Sequence, residues 1–270
     1  MARPNMSQVK GFTLIEMVTV IVLLGILSIG FTGFIKLGTQ VYVDVTDRDE
    51  LVASGRFAVE RLNRELRMAL PNSARLTAEV TLTKQCLEFY PISANVVYVD
   101  IPVSPELPSN TITLVYEDSA ASPIDTYAVV YPLTADELYD GSSNRIHPTN
   151  LLATTAVDNE WLLTLTAAHT FAEDSPTKRL FFVGEPVSYC AEQKSTVWQL
   201  WRYQGYPVTA VGLPTTHGVL MAEHLTVNNL PFKVIEASLQ RNASILTTLM
   251  FSRNDEDIVF NNEVQVRNVP

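Results

Sequence analysis

The chain has 270 residues, of which 47% are hydrophobic and 18% charged, with a formal net charge of −10. That much apolar material is incompatible with a disordered chain, and the acidic balance excludes a basic surface for duplex nucleic acid. The length accommodates one large domain or two small ones.

The first eleven residues form a polar leader that holds Arg3 and Lys10. The run that follows, Phe12 to Ile35, reads FTLIEMVTVIVLLGILSIGFTGFI and carries one charge, Glu16. A helix rising about 1.5 Å per residue over a run of this length matches a hydrocarbon layer of roughly 30 Å, so residues 12–35 are predicted to span a membrane. A buried core helix is the alternative, but core helices rarely run so far without a polar face. A secretory signal peptide is the second rival. Its apolar region is typically about 7–15 residues and ends at a small-residue cleavage site. Here the run is longer and ends on Thr32, Gly33 and Phe34 before Lys36. Basic residues ahead of the run place the amino end in the cytoplasm and the remainder across the membrane.

Beyond Lys36, apolar residues recur at Leu37, Val41, Val45, Val52, Val59, Leu62 and Leu66, with charged residues between them and a Glu60–Arg64 pair at i,i+4. This pattern predicts an amphipathic helix over 36–70 that buries one stripe and stops at Pro71 and Asn72. From there to residue 270 the sequence breaks into short runs rich in Val, Ile, Thr and aromatics, separated by Pro, Asn, Asp, Ser and Gly. Strands are predicted at 75–82, 85–91, 96–101, 111–116, 126–131, 161–166, 179–183, 197–203, 232–239, 245–251 and 257–266. The polar stretches 117–125 and 136–150 read as long surface loops. The expected fold class is α+β. A long N-terminal helix, transmembrane in its first half and amphipathic in its second, packs on an antiparallel β-rich domain, in the simplest case through a single sheet. Cys86 and Cys190 both lie on the exported side of the apolar run. An oxidising envelope compartment allows them to pair across a long loop; two buried free thiols are the alternative.

The stretch Lys10-Gly11-Phe12-Thr13-Leu14-Ile15-Glu16 resembles the processing and methylation motif of type IV prepilins and type II secretion pseudopilins. The basic leader, apolar helix and β-rich domain follow in the order of that family. The resemblance implies that a membrane prepilin peptidase cuts between Gly11 and Phe12 and methylates the new amine of Phe12. It also implies partners: other major and minor pilins, an inner-membrane assembly platform and membrane lipid. The location would be a single-pass inner-membrane protein with a periplasmic domain, then a pilus. Glu16 stands out without the family, because a carboxylate inside hydrocarbon is costly and needs a partner. The amine of Phe12, its own or a neighbour's, is one such partner, which makes Glu16 an assembly residue. A Glu favoured by the helix dipole and reaching water is the other reading. Gly25, Gly30, Gly33 and Gly38 either permit close packing or are ordinary tolerance of glycine in membrane helices.

The segments 53–67, Val187-Ser188-Tyr189-Cys190, Leu200-Trp201-Arg202-Tyr203 and 264–270 resemble minor pilins grouped with the J-type pseudopilin, and in combination those of mannose-sensitive haemagglutinin (MSHA) pili. The implied role is structural: priming or capping a fibre, with a secretion pseudopilin or a tip adhesin as alternatives. No catalytic residue, metal site or cofactor is expected. His147, His169, His217 and His224 match no ligand spacing, and no phosphate loop or nucleophile elbow is present. Asn254-Asp255-Glu256-Asp257 reads as a solvated hairpin turn before it reads as a calcium loop.

Overall fold

The computed structural model describes residues 11–78, 83–115, 127–139, 146–150, 160–206, 213–227, 230–237, 241–254 and 256–266. The leader before Gly11, the polar loop at 117–125 and the tail beyond Val266 lie outside these residues. The chain divides into two compact units at Glu50 and Leu51. Helix α1 runs over Leu14–Arg67 and contributes to both.

In the first unit every described residue as far as Thr46 is exposed. Leu37, Val41 and Val45, predicted to form the start of the buried stripe, are 65%, 55% and 54% exposed. Burial along α1 begins only at Leu51 and continues through Gly55, Ala58, Val59, Leu62 and Leu66. The 3–4 residue spacing of these positions keeps them on one face of the helix. The stripe is therefore correct in kind and begins later than its apolar periodicity indicates. Periodicity marks what a helix is able to bury, and among the described residues of α1 burial is confined to the part that belongs to the second unit.

The second unit holds two β systems rather than the single sheet predicted. The strands in chain order are β1 (Arg75–Ala78), β2 (Lys84–Phe89), β3 (Ile92–Asp100), β4 (Ser109–Val115), β5 (Tyr127–Val130), β6 (Ile146–Asn150), β7 (Glu160–His169), β8 (Arg179–Val183), β9 (Val187–Lys194), β10 (Val197–Tyr203), β11 (Gly218–Thr226), β12 (Phe232–Ile235), β13 (Ala243–Arg253) and β14 (Glu256–Val266). A one-turn helix α2, Asp136–Tyr139, lies between β5 and β6. All described pairings between these strands are antiparallel. Eight strands form an open sheet in the order β1-β2-β9-β10-β11-β13-β12, with β14 added to β13. The other six close into a barrel, β3-β4-β7-β6-β5-β8. In sequence the whole barrel lies between the neighbouring sheet strands β2 and β9, so it is an insertion with two roots in the sheet.

Two cores follow from this division. One joins Leu51, Ala58, Leu62 and Leu66 of α1 to Leu87, Phe89, Tyr189, Leu200, Ile245, Leu249 and Phe251 of the sheet. The other fills the barrel with Val96, Tyr98, Ile112, Leu114, Leu163, Leu165, Phe171, Leu180 and Phe182. A smaller cluster, with Leu70, Tyr90, Val129, Leu138, Tyr139, Phe181 and Val183, joins the two. Residues 136–150, read as a polar excursion, instead supply α2, whose Leu138 and Tyr139 are buried, and β6.

Polar contacts fix how α1 sits on the sheet. Arg202 Nε donates to both carboxylate oxygens of Glu65, at 3.1 and 2.9 Å. Asn262 Nδ2 donates to Asn63 Oδ1. Gln85 closes part of the gap between β2 and β12: its Nε2 donates to Phe232 O and its Oε1 accepts from Phe232 N, both at 3.1 Å. One side-chain amide thus satisfies both backbone groups of Phe232 across a gap no strand spans.

Gly55 sets the closest approach. A Cβ there would lie 2.5 Å from Phe260 Cε2 and 3.0 Å from Phe251 Cε2. Gly55→Val is expected to destabilise the domain by about 1–3 kcal/mol through overpacking, despite the poor helix propensity of glycine. Chemical denaturation of the detergent-solubilised chain, followed by near-ultraviolet circular dichroism, measures it; an unchanged midpoint refutes this packing.

Candidate functional site: the processing motif and the buried disulfide layer

Gly11 and Phe12 precede the first turn of α1, outside any helix or strand, with nothing within 4 Å of a Cβ built on Gly11 and Phe12 85% exposed. Glu16 is held by the helix start itself. Its Oε2 accepts from Thr13 N and Thr13 Oγ1, both at 2.9 Å, and the N–H of Glu16 reaches back to Thr13 Oγ1 at 3.4 Å. This is a capping box, a threonine three residues ahead of a glutamate, each side chain satisfying a backbone donor near the other. The T-x-x-E spacing that encodes it is a local sequence signal, and it gives Glu16 a partner other than the amine of Phe12. Thr13 therefore joins Gly11, Phe12 and Glu16 as a residue of the motif.

The hydroxyls in the apolar run are internally satisfied as well. Thr19, Ser28 and Thr32 donate to the carbonyls of Ile15, Leu24 and Ser28, at 2.9, 2.7 and 2.7 Å. Back-bonding of this kind lets Ser and Thr enter a medium without water. Gly25, Gly30, Gly33 and Gly38 have open space on their Cβ side. By length and composition α1 can cross a membrane.

Cys86 and Cys190 form a disulfide. They are directly opposite each other on β2 and β9, in a register that also sets Lys84 against Glu192 and Glu88 against Ser188. Alternation along each strand sends this set to the face away from α1, while Leu87, Phe89, Tyr189 and Ala191 join the helix core. The disulfide is wholly buried, with a buried carboxylate on either side. Glu192 receives Lys84 and Lys194, each at 2.8 Å, and the Tyr203 hydroxyl at 2.7 Å. Glu88 receives Arg75 at 2.5 Å and the Tyr206 hydroxyl at 2.6 Å. Burial alone would raise the pKa of Glu192, but the two lysines and Tyr203 outweigh it and hold the carboxyl below its ordinary value of 4.5. Burial beside these carboxylates pushes the Tyr203 and Tyr206 hydroxyls well above their ordinary range, so both stay protonated donors.

The structure brings two of the four histidines together, which their sequence spacing hides: the His147 and His169 rings lie 4.4 Å apart at one end of the barrel. No cluster of three metal-ligating side chains exists among the described residues. The run 254–257 falls at the β13–β14 reversal, bracketed by the Arg253–Glu256 pair, with Asp255 outside the described residues.

Residues 6–32 match the family model described as the prokaryotic N-terminal methylation motif. This is a type IV pilin-like prepilin signal. It supports a pilin-like or pseudopilin protein, a structural subunit rather than an enzyme, that prepilin peptidase processes and that assembles with other pilins. With the apolar helix behind it, the signal fits a membrane-anchored, pilus-associated protein. No curated protein and no solved structure matches the chain.

Two outcomes follow. Thr13→Val removes the hydroxyl shared with Glu16 while the backbone N–H of residue 13 still donates to the carboxylate, so it is expected to weaken the helix start by about 1 kcal/mol, read as faster amide hydrogen exchange at residues 14–17. On the assembly reading of Glu16, Glu16→Ala is expected to lower the chain's level in sheared fibres. Normal fibre levels of Glu16→Ala would remove Glu16 from assembly. For Glu192, a depressed folded pKa contributes stability that is present above about pH 4.5 and lost as pH falls through the folded value. Glu192→Gln is therefore expected to lower the melting temperature near neutral pH and to flatten its fall below about pH 5. Parallel melting curves for the two proteins down to acid pH would refute the pairing.

Proposed function

We propose that the chain is a minor pilin of the MshO type, a structural subunit that primes or caps an MSHA-type pilus. The observation that carries this reading is the pairing of the methylation motif with an apolar helix that is exposed along its first half. Every side chain from Phe12 to Val45 is exposed, so the helix needs another apolar environment. Bilayer lipid supplies one before assembly, and the helices of other subunits supply one afterwards. Cleavage between Gly11 and Phe12 removes Arg3 and Lys10, and the charge becomes (19 − 2) − 29 = −12. The new amine then sits beside the Glu16 carboxylate, where a neighbour's amine can compete with Thr13 for it. The large β-rich unit, which carries a whole barrel as an insertion, suits a subunit present in few copies at a fibre end rather than one repeated along it. Segments 53–67, 187–190, 200–203 and 264–270 resemble minor pilins grouped with the J-type pseudopilin, and a type II secretion minor pseudopilin is the alternative in that group.

The test is to shear fibres from cells expressing the chain and sequence their minor components by mass spectrometry. The expected peptide begins at N-methylated Phe12. Recovery of the intact polypeptide with residues 1–11 attached, in cells with an active prepilin peptidase, overturns the reading. Co-purification with a secretion system instead of fibres moves the chain to the pseudopilin alternative.

A further inference from the structure

The open sheet has three unshared margins, and they differ. β1 and β12 are four residues long and carry Arg75 and Lys233. Short margins bearing cations are an ordinary protection against unwanted strand pairing. β14 has neither device. It pairs β13 without a register shift over all eleven residues, from Ala243↔Val266 to Arg253↔Glu256. It contains no proline, lysine or arginine. Among the described residues β13 is its one strand partner, so about half of the backbone N–H and C=O groups from Asp257 onward face away from the sheet.

The side chains along this margin say what can approach. Asp257, Val259, Asn261, Glu263 and Gln265 are exposed, while Val264 and Val266 are buried. Neither Asp257 nor Glu263 has an ion-pair partner among the described residues. The strand carries three carboxylates and no cation, within a chain of net charge −10. A second copy of β14 would bring three carboxylates against three, which disfavours self-pairing. The same charges favour a strand of opposite sign.

We propose that β14 is a docking edge, to which an extended basic segment of a different subunit adds as the next strand. The inference rests on the pilin-like reading for the presence of such subunits. Main-chain hydrogen bonds supply the attachment, and alternate side chains supply the choice of partner. Asp257 and Glu263 share one face and lie six residues apart, about 20 Å at 3.3–3.4 Å per residue. An antiparallel incoming strand therefore meets them with lysine or arginine at its positions i and i+6, and meets Val259 with an apolar residue at i+4.

The experiment places a photo-crosslinking amino acid at Asn261 in the full-length chain in cells. Leu107, which is 87% exposed in the barrel unit's β3–β4 connection, serves as the control position. The expected result is an adduct from position 261 to another subunit, mapped by mass spectrometry to a strand with two basic residues six apart. The double variant Asp257→Lys, Glu263→Lys should lower the yield about tenfold. The single-sided variant Val259→Lys should lower it less. Adducts only to a second copy, equal yields at positions 261 and 107, or a yield indifferent to the charge reversal each overturn the proposal. The N-terminus of the chain is read in the same cells. A chain processed to Phe12 that gives no adduct sinks this inference alone, whereas a chain retaining residues 1–11 sinks the functional reading beneath it.

Discussion

The molecule depends on an exposed helix that cannot stay exposed. From Met17 to Ile35 no side chain is charged, and every one is exposed. Burying one large apolar side chain contributes about 1.5–3 kcal/mol, so a run of such residues in water is far from equilibrium. The remaining features answer that constraint. Back-bonded hydroxyls at Thr19, Ser28 and Thr32 keep the run free of unsatisfied donors. The capping box at Thr13 and Glu16 gives its one carboxylate a partner within the same turn. At the other end, the last turns of α1 are claimed by the sheet, where Gly55 allows Phe251 and Phe260 against the helix backbone.

How much of this was legible in the sequence depends on the range of the interaction involved. The helix, its apolar and amphipathic parts and its stop before Pro71 follow from local periodicity, which the helix geometry obeys. Eleven predicted strand runs correspond to β strands, among them Arg179–Val183 and Val197–Tyr203 with the same bounds. β6, β9 and β11 were not predicted, β6 because it lies in the polar stretch 136–150 read as a loop. In β9, alternate residues face two different buried surfaces: Tyr189 and Ala191 meet the helix, while Ser188 and Glu192 meet the charged layer. A strand buried on both faces with polar groups on one shows no apolar alternation. In β11 the residues Leu220 to Glu223 are helix formers, and pairing with β10 and β13 overrides them. The barrel was out of reach for another reason. Its closure through β3 and β8 joins segments some eighty residues apart, and no local signal encodes which ends meet.

The site divides in the same way. The N-terminal methylation motif was legible because it is a short linear segment, residues 6–32. The pairing of Cys86 with Cys190 was one of two open readings until strand register placed them opposite each other. The charged layer around them was invisible, because Lys84, Glu88 and Glu192 look like surface residues in a list and become buried only when β2 and β9 meet.

That disulfide also has a mechanical meaning. All six barrel strands lie between Cys86 and Cys190 in sequence, and the bond ties together the two strands from which the barrel departs. Tension applied anywhere on the barrel runs down to its two roots and ends at a covalent link. The six barrel strands can therefore be drawn out without parting β2 from β9, and beyond the covalent link the load passes into both of these strands together rather than along either one singly. The barrel is in this sense a store of chain length that can be let out before the sheet that grips α1 has to open.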